Sequence, residues 1–240
     1  MLWGIHPVLA ALANPERTCH RLMATAETAR AHAGELDRLA KARRLPSLET
    51  VSRADLDQFL PAGAVHQGMA VTADPLPPLD IADLVDSAEG RDHAVIMVLD
   101  QVTDPHNVGA VLRSAAAFGA IGVVMQDRNA PDETGTLAKS ASGALERMPL
   151  VKTVNLARAL EELKEAGFWI AGMAGEATQT LAEAKLSGKI ALVMGSEGEG
   201  LRRLTRDHCD YLVKLPQTDL VESLNVSNAA AVALYELNRR

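Results

Sequence analysis

Six consecutive apolar residues, Ala94-Val95-Ile96-Met97-Val98-Leu99, constrain the fold most strongly. A strand with one wet face alternates apolar and polar residues, whereas this run offers no polar face at all. It reads as a strand buried on both sides, the signature of a parallel sheet covered by helices. The chain after it keeps a strand and helix rhythm. Helices are predicted over Val108–Phe118, Thr136–Leu145 and Leu156–Ala166, and strands over Gly122–Met125, Leu150–Val154, Phe168–Met173, Ile190–Met194 and Tyr211–Leu215. This alternation predicts an α/β fold with a parallel sheet and ligands at the carboxyl ends of its strands.

Residues 1–73 read as a separate, small α/β domain. Pro7 suits the first turn of a helix that buries Val8, Leu9 and Leu12. Strands are predicted at Arg21–Thr25, Leu48–Val51 and Ala70–Thr72, and helices at Glu35–Arg43, with Leu36 and Leu39 inward, and at Arg53–Phe59, capped by Ser52. Asp74-Pro75-Leu76-Pro77-Pro78-Leu79 is too proline-rich for regular structure, so a stiff linker is placed at 74–90 and a second domain at 91–240.

The formal net charge of -7 and the 3% of aromatic residues count against a basic, base-stacking nucleic-acid binder. Positive charge is nonetheless concentrated at Arg38–Arg44 and at Arg202, Arg203 and Arg206. Two distant cysteines, Cys19 and Cys209, fit a reducing compartment, and the absence of an apolar run of membrane-spanning length gives a soluble, cytoplasmic expectation with no membrane partner.

Three predicted strand ends carry unusual polar residues. The first is Asp100 to Arg113, where Asn107 lies near a helix start and Arg113 offers donors suited to a phosphate; each also has a plain reading, as helix cap and solvated surface residue. The second is Gly195-Ser196-Glu197-Gly198-Glu199-Gly200. It lacks the lysine of a phosphate-binding loop, and its two glutamates favour a neutral or cationic ligand. The third is Leu215-Pro216 to Ser223-Leu224-Asn225-Val226-Ser227, in which Ser223 or Asn225 can cap a helix. From Ala229 to Tyr235 that helix is apolar on every side, so cover is expected on both faces, from its own sheet and from a second subunit. His6, His66 and His106 match no metal-ligand spacing and are read as local hydrogen-bonding residues.

In this order, Asn107-x-Gly109-x-x-x-Arg113, Gly195-Ser196-Glu197-x-x-Gly200 and Leu215-Pro216 followed by Ser223-Leu224-Asn225-Val226-Ser227 resemble the three motifs of the SpoU (TrmH-type) family of RNA ribose 2′-O-methyltransferases. Gly4-Ile5-His6 and His66-Gln67-Gly68 resemble the ribosomal-protein-like RNA-binding domain of the subgroup that methylates a guanosine of 23S rRNA. The resemblance implies a C-terminal trefoil knot (the SPOUT fold), S-adenosylmethionine as cofactor, a homodimer through the C-terminal helix, and structured RNA as partner. It also implies a cofactor site at Gly195, Ser196, Leu215, Pro216 and Leu224. Arg113 would anchor a phosphate beside the reacting hydroxyl, Glu197 would fix Arg113 or its own loop, and Asn107, Ser223 and Asn225 would shape the site; no metal is implied. The alternatives are the same chemistry on tRNA or another rRNA site, and a non-enzymatic RNA-binding dimer. One departure stands out: Asp219 occupies a position where the family pattern has glycine.

Overall fold

The computed structural model describes residues 1–218, 220–221 and 223–239. In chain order its first elements are β1 (Leu2–Trp3), α1 (Ile5–Ala13), β2 (Cys19–Ala24), α2 (Ala26–Ala31), α3 (Ala33–Ala42), β3 (Leu48–Thr50), α4 (Arg53–Phe59), β4 (Met69–Ala73) and α5 (Ile81–Ser87). Next come β5 (Ala94–Leu99), α6 (Pro105–Ala117), β6 (Gly122–Gln126), α7 (Gly135–Ala141), a 3-10 turn (Ala144–Glu146), β7 (Leu150–Thr153), α8 (Leu156–Glu165) and β8 (Trp169–Met173). The chain closes with β9 (Gln179–Thr180), β10 (Lys189–Met194), α9 (Arg203–Asp207), β11 (Tyr211–Lys214) and α10 (Val226–Asn238). Among the described residues no helix is long and apolar enough to cross a membrane.

Two compact units emerge: Met1–Pro77 with Pro131–Arg147, and Pro78–Ala130 with Met148–Arg240. Both boundaries differ from those expected at 74–90 and 91–240. The stretch taken for linker contains α5, whose start is closed by a reciprocal pair of bonds, Asp83 N to Asp80 Oδ1 at 3.1 Å and Asp80 N to Asp83 Oδ2 at 2.8 Å. Ile81 and Leu84 are buried, so a short amphipathic helix follows directly on the prolines. The helix expected over Thr136–Leu145 stops at Ala141, because Ser142 (φ 50°) and Gly143 (φ 88°) are both left-handed.

The first unit is built on a four-stranded sheet in the order β1-β4-β2-β3, with β4 antiparallel to β1 and β2 and β3 parallel to β2. Ser52 caps α4 as expected, in a capping box with Asp55. The 131–147 segment is tied in by charge: buried Arg17 pairs with Glu133 at 2.6 Å and with Glu146 at 2.8 Å, and donates to the Asp74 carbonyl at 2.7 Å. A buried guanidinium is tolerable only when its donors are satisfied in this way.

The second unit holds a seven-stranded sheet in the order β7-β6-β5-β10-β8-β11-β9, with every pairing parallel. All six residues of β5 are buried, the outcome its unbroken apolar run requires. β10 lies between β5 and β8, and β11 lies beyond β8, so the chain leaves the middle of the sheet, passes outward, and returns when α10 packs on α6 and β5. α10 buries Val226, Ala230, Ala233 and Leu234 there, while Val232 and Tyr235 stay exposed. Within the chain, therefore, one face of this helix is covered and the other is open.

Candidate active site

The carboxyl ends of β5, β10 and β11 carry the three polar loops. After β5, α6 begins with Pro105 in its first turn, and Asp104 caps it by accepting from His106 N at 3.0 Å. The cap that Asn107 could have supplied is thus taken. Asn107 is left free to reach across to the next loop.

That loop follows β10 and folds back sharply, with Ser196 N to Gly200 O at 3.2 Å and Gly200 N to Ser196 O at 3.0 Å. A Cβ on Gly195 would lie 2.1 Å from the carbonyl carbon of Gly200, closer than any real contact, so only glycine lets the two strands of the turn meet. Beyond β11, Leu215 is buried, Pro216 is exposed, and Asn225 caps α10 by accepting from Ser227 N at 3.0 Å and Ser227 Oγ at 2.5 Å.

One carboxylate oxygen joins the three loops. Glu197 Oε1 accepts from Asn107 Nδ2 at 3.3 Å, from Asn225 Nδ2 at 2.6 Å and from Val226 N at 3.2 Å, and Asn225 Nδ2 also donates to Asn107 Oδ1 at 3.0 Å. Of the two partners expected for Glu197, it engages the loops and not Arg113. Bonds to an ionised acceptor are roughly twice as strong as neutral ones, so this node can hold three otherwise independent loops in register.

The Arg113 side chain is exposed and makes no hydrogen bond or ion pair among the described residues. It stands seven residues after His106, which places both on one face of α6. Ser223 and Leu224 lie on the surface near the Asn225 cap, together with exposed Leu220 and Val221. Asp219, the departure from the family pattern, lies outside the described residues.

Two functional candidates escaped the sequence reading. Asp100 is 0% exposed and accepts from Arg202 Nε at 2.6 Å and from the Arg202 backbone N–H at 3.1 Å, with Arg202 Nη2 in ion-pair contact at 2.6 Å, while the Arg202 side chain is 38% exposed. The pair bolts the β5–α6 loop to the segment after the glycine-rich turn. An acidic residue ending six buried apolar ones was the available signal; Arg202 had been read only as part of a basic stretch. Of the three histidines, His66 is buried, with Nε2 against Asp57 Oδ1 at 3.1 Å and Nδ1 accepting from Gly68 N at 3.0 Å, a local hydrogen-bonding role as expected.

As a ligand site, this edge offers a sharp glycine turn and exposed leucine and valine side chains, with Glu197 and Glu199 as its acidic groups. It suits a flat, partly apolar ligand that is neutral or cationic. S-adenosylmethionine, an adenine nucleoside with a sulfonium charge, fits that donor set.

Comparison with known proteins agrees with the layout. Residues 94–235 match the model of the SpoU rRNA Methylase family, and residues 1–79 match the model described as RNA 2'-O ribose methyltransferase substrate binding. The 23S rRNA (guanosine-2'-O-)-methyltransferase RlmB of Photobacterium profundum is 48% identical over 178 residues, 74% of this chain and 73% of that protein. The protein of the same name from Haemophilus ducreyi is 42% identical over 241 residues, 100% of this chain and 97% of the relative. Among solved structures, the SpoU methyltransferase AviRb of Streptomyces viridochromogenes, in complex with AdoMet, superposes with a TM-score of 0.80 at 24% identity, covering 99% of this chain and 88% of that one.

Proposed function

Because the chain belongs to the SpoU rRNA methylase family, we propose that it transfers a methyl group from S-adenosylmethionine to the 2′-hydroxyl of a guanosine in 23S rRNA. The observation that carries this is the Glu197 node, which gathers the three motif loops at one edge of the parallel sheet. When bound, the cofactor supplies a methyl group on a positively charged sulfur. The chain's own residues have to hold and orient the partners, since in-line attack depends on placement.

In this reading the backbone at Gly195, Ser196, Leu215, Pro216 and Leu224 holds the cofactor. Glu197, Asn107 and Asn225 keep the loops closed around it, and Ser223 lines the rim. Exposed Arg113 anchors the phosphate next to the reacting ribose, for which a planar guanidinium is well suited. A guanidinium does not act as a base at neutral pH, so the hydroxyl proton leaves through phosphate or water.

The first unit binds the RNA, an assignment supported by its match to a substrate-binding family model. A trefoil knot at the C-terminal end is supported by the path of the chain. From β11 near one side of the sheet it returns past the turn at Ser196–Gly200, where Asn225 and Val226 touch Glu197, before α10 settles on α6 and β5. The open face of α10, with Val232 and Tyr235, supports a homodimer through this helix.

Mapping ribose methylation in 23S rRNA from cells with and without the gene tests the proposal. One guanosine should lose its methyl group in the deletion, regain it with the wild-type gene, and stay bare with Arg113→Ala. An unchanged map in the deletion would refute the activity, and full rescue by Arg113→Ala would refute the role of that arginine.

A further inference from the structure

Beside the motif loops, the same sheet edge carries a second feature that the cofactor and phosphate contacts do not use. A shallow cleft of about 90 Å³ opens between the ends of β6 and β7, the start of α8 and the start of α9. Gln126, Asn155 and Arg202 give it polar walls, and Val154 and Leu204 form its lips. Those two apolar residues are 82% and 58% exposed, so their side chains are available to pack on a ligand.

Two of the polar walls, Asn155 and Arg202, are held with donors to spare. Asn155 Oδ1 caps α8 by accepting from Arg158 N at 3.2 Å, which leaves its amide nitrogen available. Arg202 donates Nε to fully buried Asp100, with Nη2 in ion-pair contact at 2.6 Å, which fixes the plane of the guanidinium; among the described residues Nη1 has no partner. Gln126 is the last residue of β6, half-buried at the rim.

We infer that this cleft receives the base of the target nucleotide, with Arg202, Gln126 and Asn155 reading a guanine and Val154 and Leu204 packing on its faces. The inference rests on the methyl-transfer reading above. A ribose hydroxyl inside folded RNA is reached only when its nucleotide is splayed out, and enzymes that do this read the base by its edge while apolar groups cover its faces. Guanine presents two acceptors, O6 and N7, that match a guanidinium, and a Watson–Crick edge that matches side-chain amides. The Asp100–Arg202 pair then has a purpose beyond bracing: it presets the plane of the reading group before RNA arrives.

The test uses the full chain with a 23S rRNA fragment carrying guanosine, inosine or adenosine at the mapped position, measuring kcat and KM, with S-adenosylmethionine affinity measured separately by calorimetry. Asn155→Asp keeps the helix cap but removes the amide donors, Gln126→Leu removes the β6 contact, and Ala157→Phe, at a residue in the first turn of α8 that lines the cleft, fills it. Each variant is expected to lose about 10- to 100-fold in kcat/KM on the guanosine fragment and to narrow the preference for guanosine over adenosine, with cofactor affinity within about twofold of wild type. If the wild-type chain methylates the fragment and all three variants keep its kcat/KM and base preference, the base site is refuted and the methyltransferase reading stands. If the wild-type chain binds cofactor but methylates no 23S rRNA fragment, the substrate reading fails and the base site with it.

Discussion

Replacing Arg202 with alanine should destabilise the chain more than any other single surface-reaching substitution at the sheet edge. The side chain lies partly in water, yet its partner does not: Asp100 is fully buried, accepts from Arg202 Nε at 2.6 Å and has Nη2 in ion-pair contact at 2.6 Å. Removing one member of a buried pair typically costs about 3–5 kcal/mol, because the other charge is stranded. Here the backbone N–H of residue 202 still donates to Asp100 at 3.1 Å, and the guanidinium is 38% exposed, so the low end applies, about 3 kcal/mol. For a chain of 240 residues that corresponds to a fall in Tm of roughly 6–12 °C. Urea unfolding followed by circular dichroism, with calorimetry for Tm, measures it. Asp100→Ala should cost less, since half-exposed Arg202 regains water, and the double variant should be less destabilised than Arg202→Ala alone. A cost below about 0.5 kcal/mol for Arg202→Ala, or a double variant no milder than that single one, would refute the stranded-charge reasoning.

Four further outcomes follow from named contacts. Glu197→Gln keeps the shape of the loop node but weakens three charge-assisted bonds, so methyl transfer should fall about 10-fold or more while the far-ultraviolet spectrum stays unchanged; activity equal to wild type would show that the node is not needed. Gly195→Ala forces a Cβ to within 2.1 Å of the Gly200 backbone and should abolish S-adenosylmethionine binding by calorimetry. Val232→Glu or Tyr235→Glu, each on the open face of α10, should shift the chain to monomer in analytical ultracentrifugation; an unchanged sedimentation coefficient would remove that helix from the proposed interface. Burial pushes the Cys209 thiol up to about 11 from an ordinary value of 9.0, so iodoacetamide at pH 8 should label it slowly in the native chain and quickly in urea. The sign for stability follows from the same shift: the unfolded chain loses this proton first, so the contribution is intact below about pH 9 and declines as pH rises toward 11.

What could be read from residue order alone was whatever depends on local pattern. The unbroken apolar run of β5, the spacing of Leu36 and Leu39 in α3, and the Ser52 cap of α4 are one-dimensional signals, and each matched its place in the fold. Asn107, Glu197 and Asn225 were singled out one loop at a time, but the bond pattern among them depends on how the loops approach and had to be seen. α5 was hidden because three prolines just before it dominate the local composition, although Asp80 and Asp83 carried the signature of a capping box. The break after Ala141 was hidden because Ser142 adopts a left-handed conformation that serine rarely takes. Arg17 gave no hint at all: a lone arginine between short elements reads as solvated until two glutamates more than a hundred residues away are found beside it.

That last pairing bears on how the protein can be made. A nascent chain emerging from the ribosome has all four strands of the first sheet by Ala73, yet Glu133 and Glu146 do not exist until synthesis has passed well into the second unit. Until then Arg17 has no counter-charge, and the site it occupies cannot close without stranding it. The first unit is therefore finished only after 147 residues, and a fragment ending at Pro77 lacks part of its own interior. Any transplant of this module into another enzyme has to carry two separate pieces of gene.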